Sequence, residues 1–189
     1  MTVLVTHYAD IRVTGDGVPH IMGTLITRIH GFMASRALRV AVAFPKHKSG
    51  ERPKIGEVVR LFGTPETLNA LLDNMDHDER ERWVCGRVKN TPDHERKAAY
   101  LRLAMPARPT IGSPKRTRFA RYTVKRREKM LQEMEGLPFF FVRSQSAQVR
   151  FPMTVKKIVM AEEMPCADSP GVNAYGFSTP TQIMMLPDF

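Results

Sequence analysis

Three groups of residues in this chain have types and spacings that could do chemistry. The first is His30, one position past the apolar Ile29 and late in a run of helical periodicity. A lone histidine beside an apolar residue commonly only packs. Near the negative end of a helix dipole it can instead carry a proton, as a general acid or base near neutral pH must. The second group is Arg143-Ser144-Gln145-Ser146, at the end of a strand-like run. Its hydroxyls could satisfy a polar turn, or they could bond a ribose or a phosphate. No Gly-x-Ser-x-Gly elbow is present, which argues against a hydrolase nucleophile. The third group spans residues 113–129, where eight cations face one acid, Glu128.

That basic stretch opens like a helix. Ser113 suits an N-cap, Pro114 suits the first helical position, and no further Gly or Pro occurs before Gly136. Wound as a helix over 113–135, it sets Arg118, Arg121, Lys125 and Lys129 in one stripe, which Lys115, Arg116, Arg126 and Arg127 widen. Phe119, Tyr122 and Val124 are too few to offset the repulsion by burial, whereas a polyanion would neutralise it. A solvated basic helix is the plain alternative. The bulk charge favours the polyanion: the net charge is +10, and residues 95–189 hold 16 Lys/Arg against 8 Asp/Glu, while residues 1–94 hold 13 against 11.

The rest of the inventory mostly excludes. Cys85 and Cys166 form neither a disulfide framework nor a metal spacing. Asp76, His77, Asp78 and Glu79 make a dense cluster, but a metal would need further ligands from elsewhere, and a solvated helix end is the simpler reading. No Walker loop or dinucleotide fingerprint occurs, so no metal and no cofactor is expected. No apolar run approaches a membrane span and the N-terminus lacks the layout of a signal peptide, so the expectation is a cytoplasmic protein without membrane contact.

The elements that must position these residues follow from periodicity. A strand is expected over Val3–Val13, ending at Gly15-Asp16-Gly17, and an amphipathic helix from Pro19 to about Arg36. Further strands are expected over Leu38–Phe44, Val58–Phe62 and Trp83–Val88, with a second helix opening at Thr64-Pro65-Glu66. The order βαββαβ is that of the ferredoxin-like split arrangement, shared with RNA-recognition modules. The fold class is therefore α+β. Residues 1–94 would form a ferredoxin-like domain carrying His30, and residues 95–189 an α+β domain with an exposed arginine-rich helix, joined through the polar stretch 90–98. In the second half, strands are expected over Tyr100–Met105, Phe139–Arg143 and Phe151–Met160, with a last short pair bracketing Tyr175-Gly176-Phe177.

Taken together, the sequence resembles the CRISPR RNA-processing endoribonucleases of type I-F systems, which cut the repeat hairpin of the precursor transcript. Four stretches carry the resemblance: His7-Tyr8-Ala9-Asp10-Ile11-Arg12; Ile29-His30-Gly31-Phe32 with residues 40–45; residues 137–146 with Phe151 after them; and Ala174-Tyr175-Gly176-Phe177-Ser178. The resemblance implies that His30 is the base for a ribose 2′-hydroxyl and that Ser144, with Ser146 as its neighbour, holds that hydroxyl in line. It implies that Tyr175 positions the histidine, that Phe151 stacks on the base pair at the foot of the hairpin, and that Arg102 reads a guanine near the cut. The basic helix would lie in the hairpin's major groove. Ala104 stands where the family commonly has a glutamine reading an adenine, which leaves the lower-stem preference open.

The chemistry expected is metal-independent. RNA supplies its own nucleophile, so the protein need only deprotonate the 2′-hydroxyl, align it with the leaving 5′-oxygen and stabilise charge on the phosphate. The expected partners are the repeat hairpin and other subunits of a type I-F surveillance complex. Two rival expectations stand beside this one: a non-cleaving cap on the guide RNA's hairpin, and an unrelated RNA-recognition protein in which His30 is only core.

Overall fold

The computed structural model describes residues 3–75, 82–104, 117–144, 149–159 and 171–189, with the side chains of its third helix described from Val124 onward. The first half folds as β1 (His7–Val13), α1 (Val18–Ser35), β2 (Ala41–Ala43), β3 (Val58–Gly63), α2 (Pro65–Met75) and β4 (Trp83–Cys85), with a two-residue β5 (Lys89–Asn90). Alternation along β1 buries Ala9, Ile11 and Val13 on one face. The helical period buries Met22, Leu25, Ile26, Ile29, Phe32 and Met33 on α1, and Leu68, Leu71, Leu72 and Met75 on α2. The sheet runs β2-β3-β1-β4 with every neighbour antiparallel. This is the strand order that two crossing βαβ units produce when their strands interleave, as the βαββαβ reading requires.

Three boundaries differ from those expected. Pairing begins at His7 rather than Val3, although Val3 is itself buried. Only Ala41–Ala43 of the expected Leu38–Phe44 strand pairs with β3, and on its other edge the Val42 N–H donates to Gly176 O. The expected Trp83–Val88 strand breaks at Gly86, where a Cβ would lie 2.8 Å from the Asp10 carbonyl oxygen.

The second half adds β6 (Lys97–Leu103), α3 (Thr117–Met134), β7 (Phe139–Arg143), β8 (Arg150–Val159) and β9 (Leu186–Pro187). Its sheet runs β7-β8-β6-β9, again antiparallel. The expected strands bracketing Tyr175 are instead a turn over Asn173–Gly176, followed by single-residue bridges at Ser178 and Thr179. One apolar cluster runs through both sheets, with Phe44 stacked on Phe177 at 5.8 Å and edge-on to Phe140 and Tyr100. Helix α3 stands apart: none of its described side chains is buried. No helix among the described residues is long and apolar enough to cross a membrane.

Candidate active site

His30 projects from the thirteenth position of α1 and is half-buried. Its Nδ1 lies 2.8 Å from the Ala174 carbonyl oxygen. A carbonyl only accepts, so Nδ1 carries a proton, and the neutral imidazole keeps its lone pair on Nε2. The ring lies flat against Tyr175, with centroids 3.9 Å apart and planes at 22°. One segment therefore fixes the imidazole twice, through a backbone acceptor and through a ring face.

That segment is held by chemistry local to its sequence. Asn173 Oδ1 accepts from the Tyr175 N–H at 2.8 Å and from the Phe177 N–H at 3.3 Å, and Gly176 N–H closes the turn onto Asn173 O. Gly176 has φ of +81°, and a Cβ there would meet Val40 O and Val42 Cγ2, each at 2.6 Å. The Val42 N–H donates to Gly176 O at 2.8 Å, so β2 anchors the turn that carries Tyr175.

Two more residues converge from the second sheet. The Arg102 guanidinium carbon lies 4.9 Å from the Tyr175 ring centre and 5.4 Å from that of Phe151. Phe151 meets Tyr175 edge-on at 6.5 Å. Four residues separated widely in sequence thus form one cluster in the order His30, Tyr175, Arg102, Phe151. A cation over two aromatic faces, beside an imidazole with a free lone pair, suits a nucleic-acid end better than an apolar ligand.

The hydroxyl-bearing turn follows β7. Ser144 is half-buried and its N–H donates to Val149 O at 2.9 Å; Ser146 lies outside the described residues. β7 lies against α1 at two points. Gly23 faces the Phe141 backbone, and one helical turn on, Thr27 Oγ1 accepts from the Arg143 N–H at 3.2 Å. Four helical residues rise about 6 Å and two strand residues about 6.6 Å, so helix and strand advance in step. His30 lies three residues past Thr27 on α1, and Ser144 is the residue after Arg143 at the end of β7.

Of the basic stretch, Lys125 and Arg126 are exposed on α3, and Arg118 and Arg121 fall in its first turns. Lys115 and Arg116 lie outside the described residues, as do the expected helix start at Ser113 and the cluster at residues 76–79. Sequence reasoning missed Asn173, Ala174 and Thr27. Asn-x-x-Gly over residues 173–176 is a legible turn signal, but nothing local marks Ala174 as the acceptor for His30 or Thr27 as the partner of β7.

The sequence profile of the CRISPR-associated protein (Cas_Csy4) family matches residues 8–189, nearly the whole chain. The chain belongs to that family. It is a Csy4-type CRISPR-associated protein, of a family that works in the processing of precursor CRISPR RNA. No match was found among curated proteins. The span matched in this Csy4-type protein includes His30, Arg102, Phe151 and Tyr175.

Proposed function

We propose that this Csy4-type protein is a metal-independent endoribonuclease that binds the repeat stem-loop of precursor CRISPR RNA, cuts at its 3′ base and stays on the mature guide RNA. The observation that carries the proposal is the imidazole of His30, whose Nδ1–H is committed to Ala174 O so that Nε2 can accept a proton. In this reading Nε2 takes the proton of the 2′-hydroxyl, which Ser144 and Ser146 hold in line. The 2′-oxygen bonds to phosphorus, the P–O5′ bond breaks, and the departing 5′-oxygen leaves with a proton. The products are a 2′,3′-cyclic phosphate and a 5′-hydroxyl. Because the nucleophile belongs to the substrate, the protein's task is alignment, proton removal and charge stabilisation.

In this reading Phe151 offers a face for the closing base pair of the stem, and Arg102, held over Phe151 and Tyr175, reads a guanine beside it. Helix α1 of the first half then carries the base and the second-half sheet the RNA contacts. Arg118, Arg121, Lys125 and Arg126 of α3, with Lys115 and Arg116 just before it in sequence, would take the hairpin's phosphates. Other subunits of a cytoplasmic type I-F surveillance complex would bind the same RNA.

The deciding experiment is cleavage of the repeat hairpin from the same genome's array in excess EDTA. Wild type should cut, and His30→Ala should lose about 10²–10⁴-fold in rate while binding persists. Tight binding with no cleavage by wild type would instead mark a hairpin cap. Absence of any preference for hairpin over unstructured RNA would sink both readings.

A further inference from the structure

We propose that the groove between α1 and the β7–β8 hairpin binds the single-stranded RNA that continues 3′ of the cut, stacking a base on Phe141 and seating its phosphates at Arg143 and Arg150. This rests on the endoribonuclease reading above and extends it to a second, single-stranded part of the substrate.

The groove encloses about 350 Å³, and Thr24, Thr27, Arg28, Phe141, Arg143 and Arg150 line it. Its charge is one-sided: no acidic side chain lines it among the described residues. Arg143 and Arg150 stand directly opposite each other in the β7–β8 register. An anion at that point would meet a guanidinium from each strand. The Arg28 guanidinium donates to Asn74 O at 2.7 Å and sits over the Trp83 ring, so its charge is held at the groove's wall.

Beside the cations is an aromatic face. Phe141 is 50% exposed and is braced edge-on by Phe139 at 5.7 Å. An exposed aromatic ring flanked by arginines is the arrangement that single-stranded nucleic acid uses, because every base has a face to stack and every link has a phosphate.

Position decides which strand. Thr27 lies one helical turn before His30 and is tied to the Arg143 N–H, so the groove begins where the site ends. Arg150 and Phe151 are successive residues of β8 and point to opposite faces of the sheet. The stem's foot belongs on the Phe151 side, with Tyr175 and Arg102. A chain crossing His30 passes over the end of the hairpin and emerges on the Arg150 side. On the 5′ side of the cut the RNA is duplex, so the strand that emerges is the 3′ one.

The test uses the array's repeat hairpin with 2′-deoxyribose at the cut, so that it binds without reacting. It is prepared bare, with six nucleotides of unstructured RNA added 3′, and with the same six added 5′. For wild type, the 3′ extension should tighten binding about tenfold and the 5′ extension should not. In Arg150→Ala and in Phe141→Leu, the ratio of affinities for 3′-extended over bare hairpin should fall close to one. The extra salt dependence brought by the extension should also drop by about one phosphate in Arg150→Ala. Equal affinity of wild type for bare and 3′-extended hairpins, or a ratio unchanged in both variants, would overturn the proposal, as would a gain that comes from the 5′ extension. If wild type binds no form of the hairpin better than unstructured RNA, the endoribonuclease reading has failed first and this inference falls with it.

Discussion

At the scale of single residues, the site turns on which nitrogen of His30 holds the proton. The contact with Ala174 O assigns it to Nδ1, and the contact with Tyr175 is ring on ring. The aromatic face of Tyr175 therefore matters more to the imidazole than its hydroxyl does. Tyr175→Phe should cleave the hairpin within about threefold of wild type, whereas Tyr175→Ala should lose more than tenfold in single-turnover rate. Equal losses in the two would mean that the hydroxyl does the positioning. Gly176→Ala is a sharper test of how the turn is built, because it combines a backbone angle disfavoured for alanine with a collision against Val40 and Val42. We expect a loss of about 2–3 kcal/mol in chemical denaturation. His30 and Ser144 could be picked out of the sequence by side-chain chemistry, whereas Tyr175, Arg102 and Phe151 stand out only through the family resemblance. Asn173 and Thr27 act through backbone partners, and Ala174 contributes only its carbonyl, so side-chain type gave no hint of them.

At the scale of elements, the junction of α1 with β7 sets the distance between the two halves of the site. Gly23 allows the helix to touch the strand: a Cβ there would overlap Phe141 O. The helix also covers the open edge of β7 and satisfies the Arg143 N–H through Thr27. Gly23→Ala should therefore push β7 off the helix, lowering the melting temperature and the cleavage rate together. Periodicity was enough to find α1, α2 and β7 because each has a single buried stripe or a clear alternation, and β3, buried throughout, was legible as a short apolar run. It overran β2, whose residues are all buried so that no alternation marks its ends, and it mistook the Tyr175 turn for strands, a turn held to β2 by a bond between residues far apart in sequence. Helix α3 is the opposite case, an element that packing does not explain. Its described side chains are all outside the core, so Arg126→Ala should leave the melting temperature within about a degree of wild type. The same change should reduce the salt dependence of hairpin binding by about one phosphate, as measured from the slope of log Kd against log salt. An unchanged slope would take α3's exposed face out of the interface.

At the scale of the whole molecule, the two sheets are joined by polar contacts at the edge of their shared core. Tyr100 is buried, and burial together with the nearby Asp188 raises its pKa well above the ordinary tyrosine value, so its hydroxyl stays protonated and donates to Phe44 O at 3.1 Å. Asp188, 8% exposed, pairs with Lys157 at 2.6 Å and with Arg96 at 3.0 Å. Arg60 on the first sheet grips Asp10 through two nitrogens and donates to Phe189 O at 2.6 Å. His47 completes this seam. It leaves β2's loop to donate from Nε2 to Val155 O on β8 at 3.0 Å, with Tyr100 edge-on beside it. Burial lowers its pKa below the ordinary value near 6.5, and the Lys157 charge pushes the same way, while the bond to Val155 O opposes both. The sign follows from linkage. A histidine whose folded pKa is depressed contributes stability that is fully present above about pH 6.5 and is lost as pH falls through the lower folded value, because the unfolded chain takes up the proton first. The melting temperature should therefore drop between pH 7 and pH 5. In His47→Gln, which keeps a donor for Val155 O but has no proton to gain, the drop should be smaller. Parallel curves for the two proteins would show that the seam does not titrate through His47. Because this seam also fixes β6, and with it Arg102, against the half of the molecule that carries His30, hairpin binding should weaken in wild type over the same pH range and weaken less in His47→Gln.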